Sequence, residues 1–391
     1  MASPVDTSVK HFYSAMAGAP TVSGTAGSLI STLDACLVTG FGAKAVDSGT
    51  ITGGVCRLNF ASGVSAAKQE AVILVSGAMP AALNGEQKVT AAANGWVEFK
   101  TALPDGAVTG SVSFKMAPLG WEKVFTGTNK AVYRPADPAS TRPFIRVDDS
   151  NAAFARVQMY ESMTDVDTGM GVTPAMAGGW YWHKWSGAAA TATYWLVIGD
   201  SRGFYFLNNL SSATAASQGV SAATSRYAGD LNSYRSGDAW CAMLTGSNSA
   251  SYNSVTGCVF SSLSSGFQLM RASTGIGGPV DCNRLVFGGS NSISGVDGTS
   301  GSFPSRTDNG LRLSTIQITD GVSSNGPRGE VPGAFYCPQS GVPVAIGADV
   351  VLTQGTSQFA GKTVLSLSVG VPNGSSSGIG FFDVTGPWRE G

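Results

Sequence analysis

The sequence predicts a mainly β protein: a small N-terminal β-barrel or sandwich with one helix, then a larger all-β, sandwich-like domain. Three observations lead there. Short runs that roughly alternate apolar and polar residues recur from Gly49 onward, each able to bury one face and wet the other. Gly, Asn-Gly and Pro-Asp-Gly signals separate the early runs, at Asn84-Gly85, Asn94-Gly95 and Pro104-Asp105-Gly106. One stretch alone, Ser28–Thr39, carries a clear helical stripe. Leu29, Ile30, Leu33, Cys36 and Leu37 share one side, with Ser28 as the expected N-cap and Gly40 as the expected stop.

Residues 1–27 come first. His11-Phe12-Tyr13 is an aromatic anchor, while Gly18, Pro20, Gly24 and Gly27 oppose a long helix. The segment reads as an N-terminal arm docking on a neighbour, with a tucked-in N-terminus as the alternative. Residues 28–118 read as a small helix-plus-β domain. Its five strands are Thr50–Phe60, Glu70–Val75, Gln87–Ala91, Gly95–Lys100 and Thr109–Met116, and Pro118-Leu119-Gly120 is the expected seam.

Residues 119–391 read as one large β-rich domain. Ala131–Arg134, Phe144–Val147 and Ala155–Tyr160 are strands, the last two joined by the turn-forming run Asp148-Asp149-Ser150-Asn151. Gly179–Trp185 follows, then a hairpin of Thr193–Ile198 and Gly203–Leu207 around Gly199-Asp200-Ser201-Arg202. Further candidates are Ala239–Thr245, Gly257–Phe260, Gly266–Arg271, Arg284–Phe287, Arg312–Thr319, Val342–Ile346, Val350–Leu352, Thr363–Val369 and Gly380–Val384. The Gly/Ser/Thr-rich segments 211–226, 245–256, 288–310 and 320–333 are too long for ordinary turns and read as contact loops.

Charged residues make up 13% of the chain, against about 25% in ordinary soluble domains. That low charge fits a surface covered by neighbours, because Lys, Glu and Asp are depleted at interface centres. Net charge is −1 and there is no basic run, so nucleic acid is not an expected partner. No stretch reaches the ~20 apolar residues of a membrane span. The N-terminus lacks an apolar signal core, so synthesis in the cytoplasm is expected. Six cysteines without a Cys-x-x-Cys pair read as buried thiols behaving as small hydrophobes.

Catalytic sets are hard to assemble from these residues. His11 and His183 are the only histidines, which excludes multi-His zinc sites and leaves little for acid–base chemistry near neutral pH. Gly199-Asp200-Ser201 looks like the nucleophile block of GDSL-type hydrolases, but no histidine follows His183 to serve as the base, and the block reads as a hairpin turn. Asp165-Val166-Asp167-Thr168-Gly169 superficially suggests a calcium loop, yet Gly169 occupies the third oxygen position and a polar turn is expected. Glu161 is the carboxylate to mutate first. No catalytic residue, metal ligand or cofactor is assigned, and the chain reads as a non-enzyme.

The densest aromatic zone runs from Trp180 through Tyr181, Trp182, Trp185, Tyr194 and Trp195 to Phe204, Tyr205 and Phe206. Period-2 alternation sends Trp180 and Trp182 to one face and Tyr181 and His183 to the other. Core or intersubunit packing is expected, with glycan stacking as the competing use. The residues assigned to interface or packing are Phe12, Tyr13, Trp121, Tyr133, Phe144, Tyr160, Trp180, Trp182 and Trp388.

Several segments also carry a likeness of wording. Gly-Trp-Glu-Lys-Val-Phe-Thr-Gly-Thr-Asn-Lys-Ala-Val-Tyr-Arg at 120–134 precedes Arg146-Val147-Asp148-Asp149 and the strand ending Tyr160-Glu161-Ser162-Met163. Phe12-Tyr13-Ser14-Ala15-Met16, Leu33-Asp34-Ala35-Cys36-Leu37-Val38, Ala228-Gly229-Asp230, Tyr234-Arg235-Ser236-Gly237-Asp238-Ala239 and Thr385-Gly386-Pro387-Trp388 belong to the same set. Together they resemble a family of tailed-bacteriophage virion structural proteins. The resemblance spans most of the chain and thins between about residues 239 and 338. It implies a virion component of the tail, baseplate or tail tip, assembled in the host cytoplasm, whose partners are other virion proteins and copies of itself. A head decoration or collar protein, or a module that binds host surface glycan, is the alternative.

Overall fold

The computed structural model describes residues 3–61, 63–187, 189–210, 223–260, 265–285, 300–322, 326–346, 349–370 and 377–389. The chain is mainly β, and every pairing between named strands is antiparallel. Four large sheets carry the structure. The first, from residues 44–116, has the order Lys44–Ala45, Ser113–Met116, Val72–Ser76, Gly85–Ala93, Trp96–Lys100, Val55–Asn59, Ser48–Thr52, Gly106–Val108, and curls into a half-barrel. A five-stranded meander follows: Trp121–Gly127, Lys130–Pro135, Phe144–Asp148, Phe154–Tyr160 and Trp180–His183.

The third sheet is the middle layer. Its order is Lys10–Tyr13, Trp195–Gly199, Gly203–Asn209, Ala223–Asp230, Ala242–Thr245, Phe267–Leu269, Val280–Asp281. The fourth runs Arg284–Leu285, Ser314–Thr319, Pro327–Tyr336, Ser377–Asp383, Thr363–Gly370, Asp349–Gln354, with Asn232–Ser233 added beside Pro327–Tyr336. Alternation explains why the middle sheet is apolar on both sides. Trp195, Val197, Phe204 and Phe206 join the core shared with the helix and the first two sheets. Leu196, Ile198, Tyr205 and Leu207 join the core shared with the fourth sheet. A strand covered on both faces reads as a continuous apolar run rather than an alternating one, which accounts for Trp195-Leu196-Val197-Ile198.

Residues 10–13 of the expected arm form the edge strand of this middle sheet, with Phe12 opposite Val197 and buried. Val22–Ser23 pairs with Ala192–Thr193. The expected seam at 118–120 lies between the last strand of the half-barrel and Trp121, and one apolar core continues across it.

Several expected elements take another form. The small sheet has eight strands, not five. Thr50–Phe60 is a hairpin, because Gly53 and Gly54, at φ +58 and +78, turn the chain between Ser48–Thr52 and Val55–Asn59. Thr109–Met116 is strand only from Ser113, and Gly106–Val108 pairs elsewhere. Val342–Ile346, expected as a strand, is a short helix; a proline in the first turn has no amide to leave unpaired. Gly257–Phe260 is not a strand. Gly257 sits at φ +67 against the Gly246 backbone, where a Cβ would come within 2.4 Å of the Gly246 carbonyl oxygen.

The strands Ala223–Asp230 and Pro327–Tyr336 begin within the segments 211–226 and 320–333 expected as loops and run past their ends. Residues 211–222, 286–299 and 323–325, which include much of the expected loops 211–226 and 288–310, part of 320–333 and the end of Arg284–Phe287, lie outside the described residues.

The helix is α-helical over Ser28–Leu33 and continues as a π-helix over Asp34–Thr39, closed by the Gly40 amide donating to Ala35. Ser28 is not its N-cap. Gly27 occupies that position, and the Ser28 hydroxyl donates to the Ser23 and Thr25 carbonyls. The helix amides of Leu29 and Ile30 instead donate to Asp149 Oδ2, at 2.8 and 3.3 Å. Asp149 Oδ1 stands 2.5 Å from Lys184 Nζ, which also donates to the Thr25 carbonyl at 2.5 Å. Neither side chain of this pair is exposed. Burial pushes the Asp149 carboxyl up and the Lys184 amine down, so each charge is kept by the other. The pair ties the turn after Phe144–Asp148, the end of Trp180–His183 and the helix start to one point.

Candidate functional site

The Gly199–Gly203 turn is a hairpin turn, as expected. Asp200 Oδ1 accepts from the Arg202 and Gly203 amides at 2.8 Å each. Its other oxygen receives the Arg389 Nε at 2.7 Å, and its carbonyl receives the Trp121 indole at 3.2 Å. Ser201 donates its hydroxyl to Asp137 at 2.7 Å, and Arg202 Nε reaches the same oxygen at 3.0 Å. Burial raises the Asp137 carboxyl, but the Ser201 hydroxyl, the Ala139 amide and Arg202 outweigh it and hold the group below its ordinary value. The serine therefore serves the Pro135–Pro143 loop rather than a base.

This turn forms one wall of a cleft of about 600 Å³. Thr141, Arg202, Asp230, Asn232, Ser233, Arg235, Asp238, Glu330, Trp388 and Arg389 line it. Segments distant in sequence meet here: Thr385–Trp388 comes against the neighbouring segments Ala228-Gly229-Asp230 and Tyr234–Ala239. Arg389 is the clasp. Besides Asp200, it donates to the carbonyls of Asp230 at 2.7 Å and Leu231 at 3.2 Å, and to Asn232 Oδ1 at 3.3 Å. Trp388 is buried, donates its indole to the Asp383 carbonyl at 2.8 Å and meets Tyr205 edge-on at 5.8 Å. Gly333 makes room for it: at φ +65, a Cβ there would lie 2.0 Å from the indole.

The cleft's carboxylates already have partners. Asp230 accepts the Thr141 amide at 2.9 Å and the Thr141 hydroxyl, and burial raises its carboxyl. Arg328 holds both oxygens of Asp238 at 2.8 Å, with neither side chain more than slightly exposed. Glu330 accepts the Tyr234 and Thr315 hydroxyls at 2.8 and 2.9 Å. Arg235 reaches the Ser273 carbonyl at 2.7 Å. The lining combines guanidinium, hydroxyl and carboxylate groups, many of them already bonded within the protein.

The nine residues assigned to interface or packing do not meet at one place. Phe12, Trp121, Tyr133, Trp180 and Trp182 are buried in the first core, and Trp388 in the second. Phe144 and Tyr160 form a smaller buried cluster on the other face of the meander, where Arg134 stacks on Phe144 at 4.6 Å. Tyr13 is half-buried between the two cores. Trp182 lies parallel to Phe206 at 5.9 Å and donates its indole to the Thr245 carbonyl at 2.8 Å. Tyr181 and His183 share the opposite face as the alternation predicts, stacked at 6.2 Å.

The Asp165 turn is likewise local: its Oδ1 accepts the Asp167 and Thr168 amides at 2.8 and 2.9 Å, while Asp167 pairs with Lys130 and Arg146. Among the described residues no cluster of His, Cys, Asp and Glu has the geometry to hold a metal ion. All six cysteines are buried and free, as expected. In the sequence Asp149 reads as part of a turn, and Lys184 and Arg389 are not singled out. The one available signal was a lysine beside the aromatic run Trp180–His183, in a chain with few charges.

Glu161 grips Arg271 through both oxygens at 2.6 Å, and Arg271 stacks on Trp240 at 4.3 Å. The pair is part-exposed, so Glu161→Gln is expected to move a thermal midpoint far less than loss of the buried Asp149 charge. A large drop would assign Glu161 a larger structural role.

The two histidines make the fold acid-sensitive. Burial, with Lys88 nearby, lowers His11 to about 3; burial, with Arg226 nearby, lowers His183 to about 4. An unfolded histidine takes its proton near pH 6.5. The stability owed to neutral rings is complete above that pH and is lost as pH falls toward 4, by up to about 1.4 kcal/mol per pH unit for each ring. Urea midpoints are expected to fall between about pH 7 and pH 5, and His183→Phe is expected to flatten that slope.

Comparison of the chain with protein-family models and with curated proteins finds no match.

Proposed function

We propose that this chain is a non-enzymatic structural component of a tailed-phage virion, in the tail, baseplate or tail tip, assembling through neutral β-rich surfaces and loops with copies of itself and other virion proteins. The observation that carries the reading is the meeting of three family-like segments around one cleft whose carboxylates are tied to protein partners. Groups held in this way brace a scaffold. The low charge of the chain supports the same reading, since few strongly hydrated side chains need to be stripped of water when copies meet.

Imaging of particles carrying a tagged copy tests the placement. Label on the tail or its tip is the expected result. Label on the head would move the protein to a decoration or collar role, and unlabelled particles would overturn the reading. Host-glycan binding is the second reading, and the cleft favours it more than the aromatic zone does. The cleft is lined by polar and charged side chains, whereas Trp182 has no exposed face. Glycan-array binding lost on Arg235→Ala would support it.

A further inference from the structure

In an asparagine followed by glycine, the next residue's amide nitrogen most readily reaches the asparagine side-chain carbon, because glycine puts no side chain in the way. Three such pairs lie within the described residues: Asn84-Gly85, Asn94-Gly95 and Asn309-Gly310. Asn325 and Asn373, which also precede glycine, lie outside them. The fold treats the three described pairs differently.

Asn84 is built into the structure. Its Oδ1 accepts the Ala78 amide at 2.8 Å, and its Nδ2 donates to the Ala78 and Ala81 carbonyls at 2.9 and 3.0 Å. Swinging its side-chain carbon onto the Gly85 amide would break all of these bonds, and Gly85 already pairs with Val75 in the half-barrel. Asn309 is exposed, at φ +57, but the nitrogen that would attack it is occupied. The Gly310 amide donates to Asp308 Oδ1 at 2.9 Å, and Asp308 pairs with Arg312 at 2.6 Å. A carboxylate on that N–H holds the proton the nitrogen must lose.

Asn94 is held more loosely. It is exposed in the two-residue turn between Gly85–Ala93 and Trp96–Lys100, which the Ala93–Trp96 pair closes. Gly95 takes φ +87, a conformation that favours glycine. Its amide donates to the Gly63 carbonyl at 3.3 Å, long for an N–H···O bond, and that acceptor is neutral.

We propose that Asn94 is a site of spontaneous modification, where the carboxamide converts without an enzyme to aspartate and isoaspartate. The Gly95 nitrogen loses its proton and attacks the Asn94 side-chain carbon. The new N–C bond forms as the bond to Nδ2 breaks, and Nδ2 takes up the proton and leaves as ammonia. Water then opens the cyclic imide at either carbonyl, giving aspartate or isoaspartate. Nothing is oxidised or reduced. Either product adds a negative charge to a chain whose net charge is −1. The isoaspartyl form also inserts a methylene into the main chain beside Gly95, whose carbonyl accepts the amide of buried Phe60 at 2.9 Å. The conversion therefore bears on the core of the half-barrel.

Peptide mapping of the full chain, held folded at mildly alkaline pH and sampled over days, tests this. Trypsin separates the pairs, because 69–88, 89–100 and 307–312 are distinct peptides. The mass gain of amide-to-acid conversion is expected several-fold sooner in 89–100 than in either other peptide. In urea, where the hydrogen bonds of Asn84 and Gly310 are gone, the rates are expected to converge. Conversion first at Asn84 or Asn309, or equal rates in the folded chain, would overturn the proposal. So would a ranking that persists unchanged in urea, which would trace it to local sequence rather than to the fold.

Discussion

Asp149→Ala is expected to lower the stability of the fold by about 3–5 kcal/mol, the range for stranding one member of a buried ion pair. The substitution leaves the Lys184 ammonium without its counter-charge in a site with no exposure, and leaves the Leu29 and Ile30 amides without their acceptor. Asp149→Asn separates the two losses, because it keeps an acceptor for the helix while removing the charge; the cap alone contributes about 1 kcal/mol. Replacing both partners, Asp149→Leu with Lys184→Met, is expected to recover most of the deficit, since no charge then remains to be stranded. Denaturant midpoints of the four proteins check this. A shift below about 1 kcal/mol for Asp149→Ala would mean that the pair does not hold the meander and the helix together.

Trp182→Ala is expected to lower stability by a similar amount, about 3–5 kcal/mol. The ring lies flat against Phe206 and edge-on to Phe204, and its indole satisfies the Thr245 carbonyl. Truncation opens a cavity between the meander and the middle sheet and leaves that carbonyl unpaired. Trp182→Phe keeps much of the volume but not the indole donor, and is expected to fall between wild type and alanine. Urea titration gives the comparison. If Trp182→Ala were as stable as wild type yet lost a binding activity, the ring would be a ligand surface rather than core.

The architecture was legible where a local rule decided it. Alternation placed Phe144–Asp148 and Phe154–Tyr160, and the Asx chemistry of Asp200 placed the Gly199–Gly203 hairpin. The helix was visible in its apolar stripe, but its N-terminal partner was not. Asp149 lies 120 residues from Leu29, and no local pattern links a turn aspartate to a helix start that far away. Trp121–Gly127 was missed as a strand because its apolar positions slip phase where the pairing register shifts between Lys123 and Phe125. Pro327–Tyr336 was hidden by its glycines and prolines, which look like loop residues. It is nonetheless paired along much of its length, and one of those glycines accommodates Trp388.

The cleft was legible only in pieces. The segments around Asp230, Tyr234–Ala239 and Trp388 stood out singly, while Arg389, which clasps them, did not. Its five donors matter only once the chain has brought Asp200, Asp230, Leu231 and Asn232 together.

Quantitative mass spectrometry of gradient-purified particles, from the phage proposed to encode this sequence, bears most directly on the proposed role. A structural component is expected in every particle preparation, at a fixed ratio to the known capsid and tail proteins, and resistant to washing in high salt. Finding the chain only in the host lysate, and never in the particles, would contradict the account.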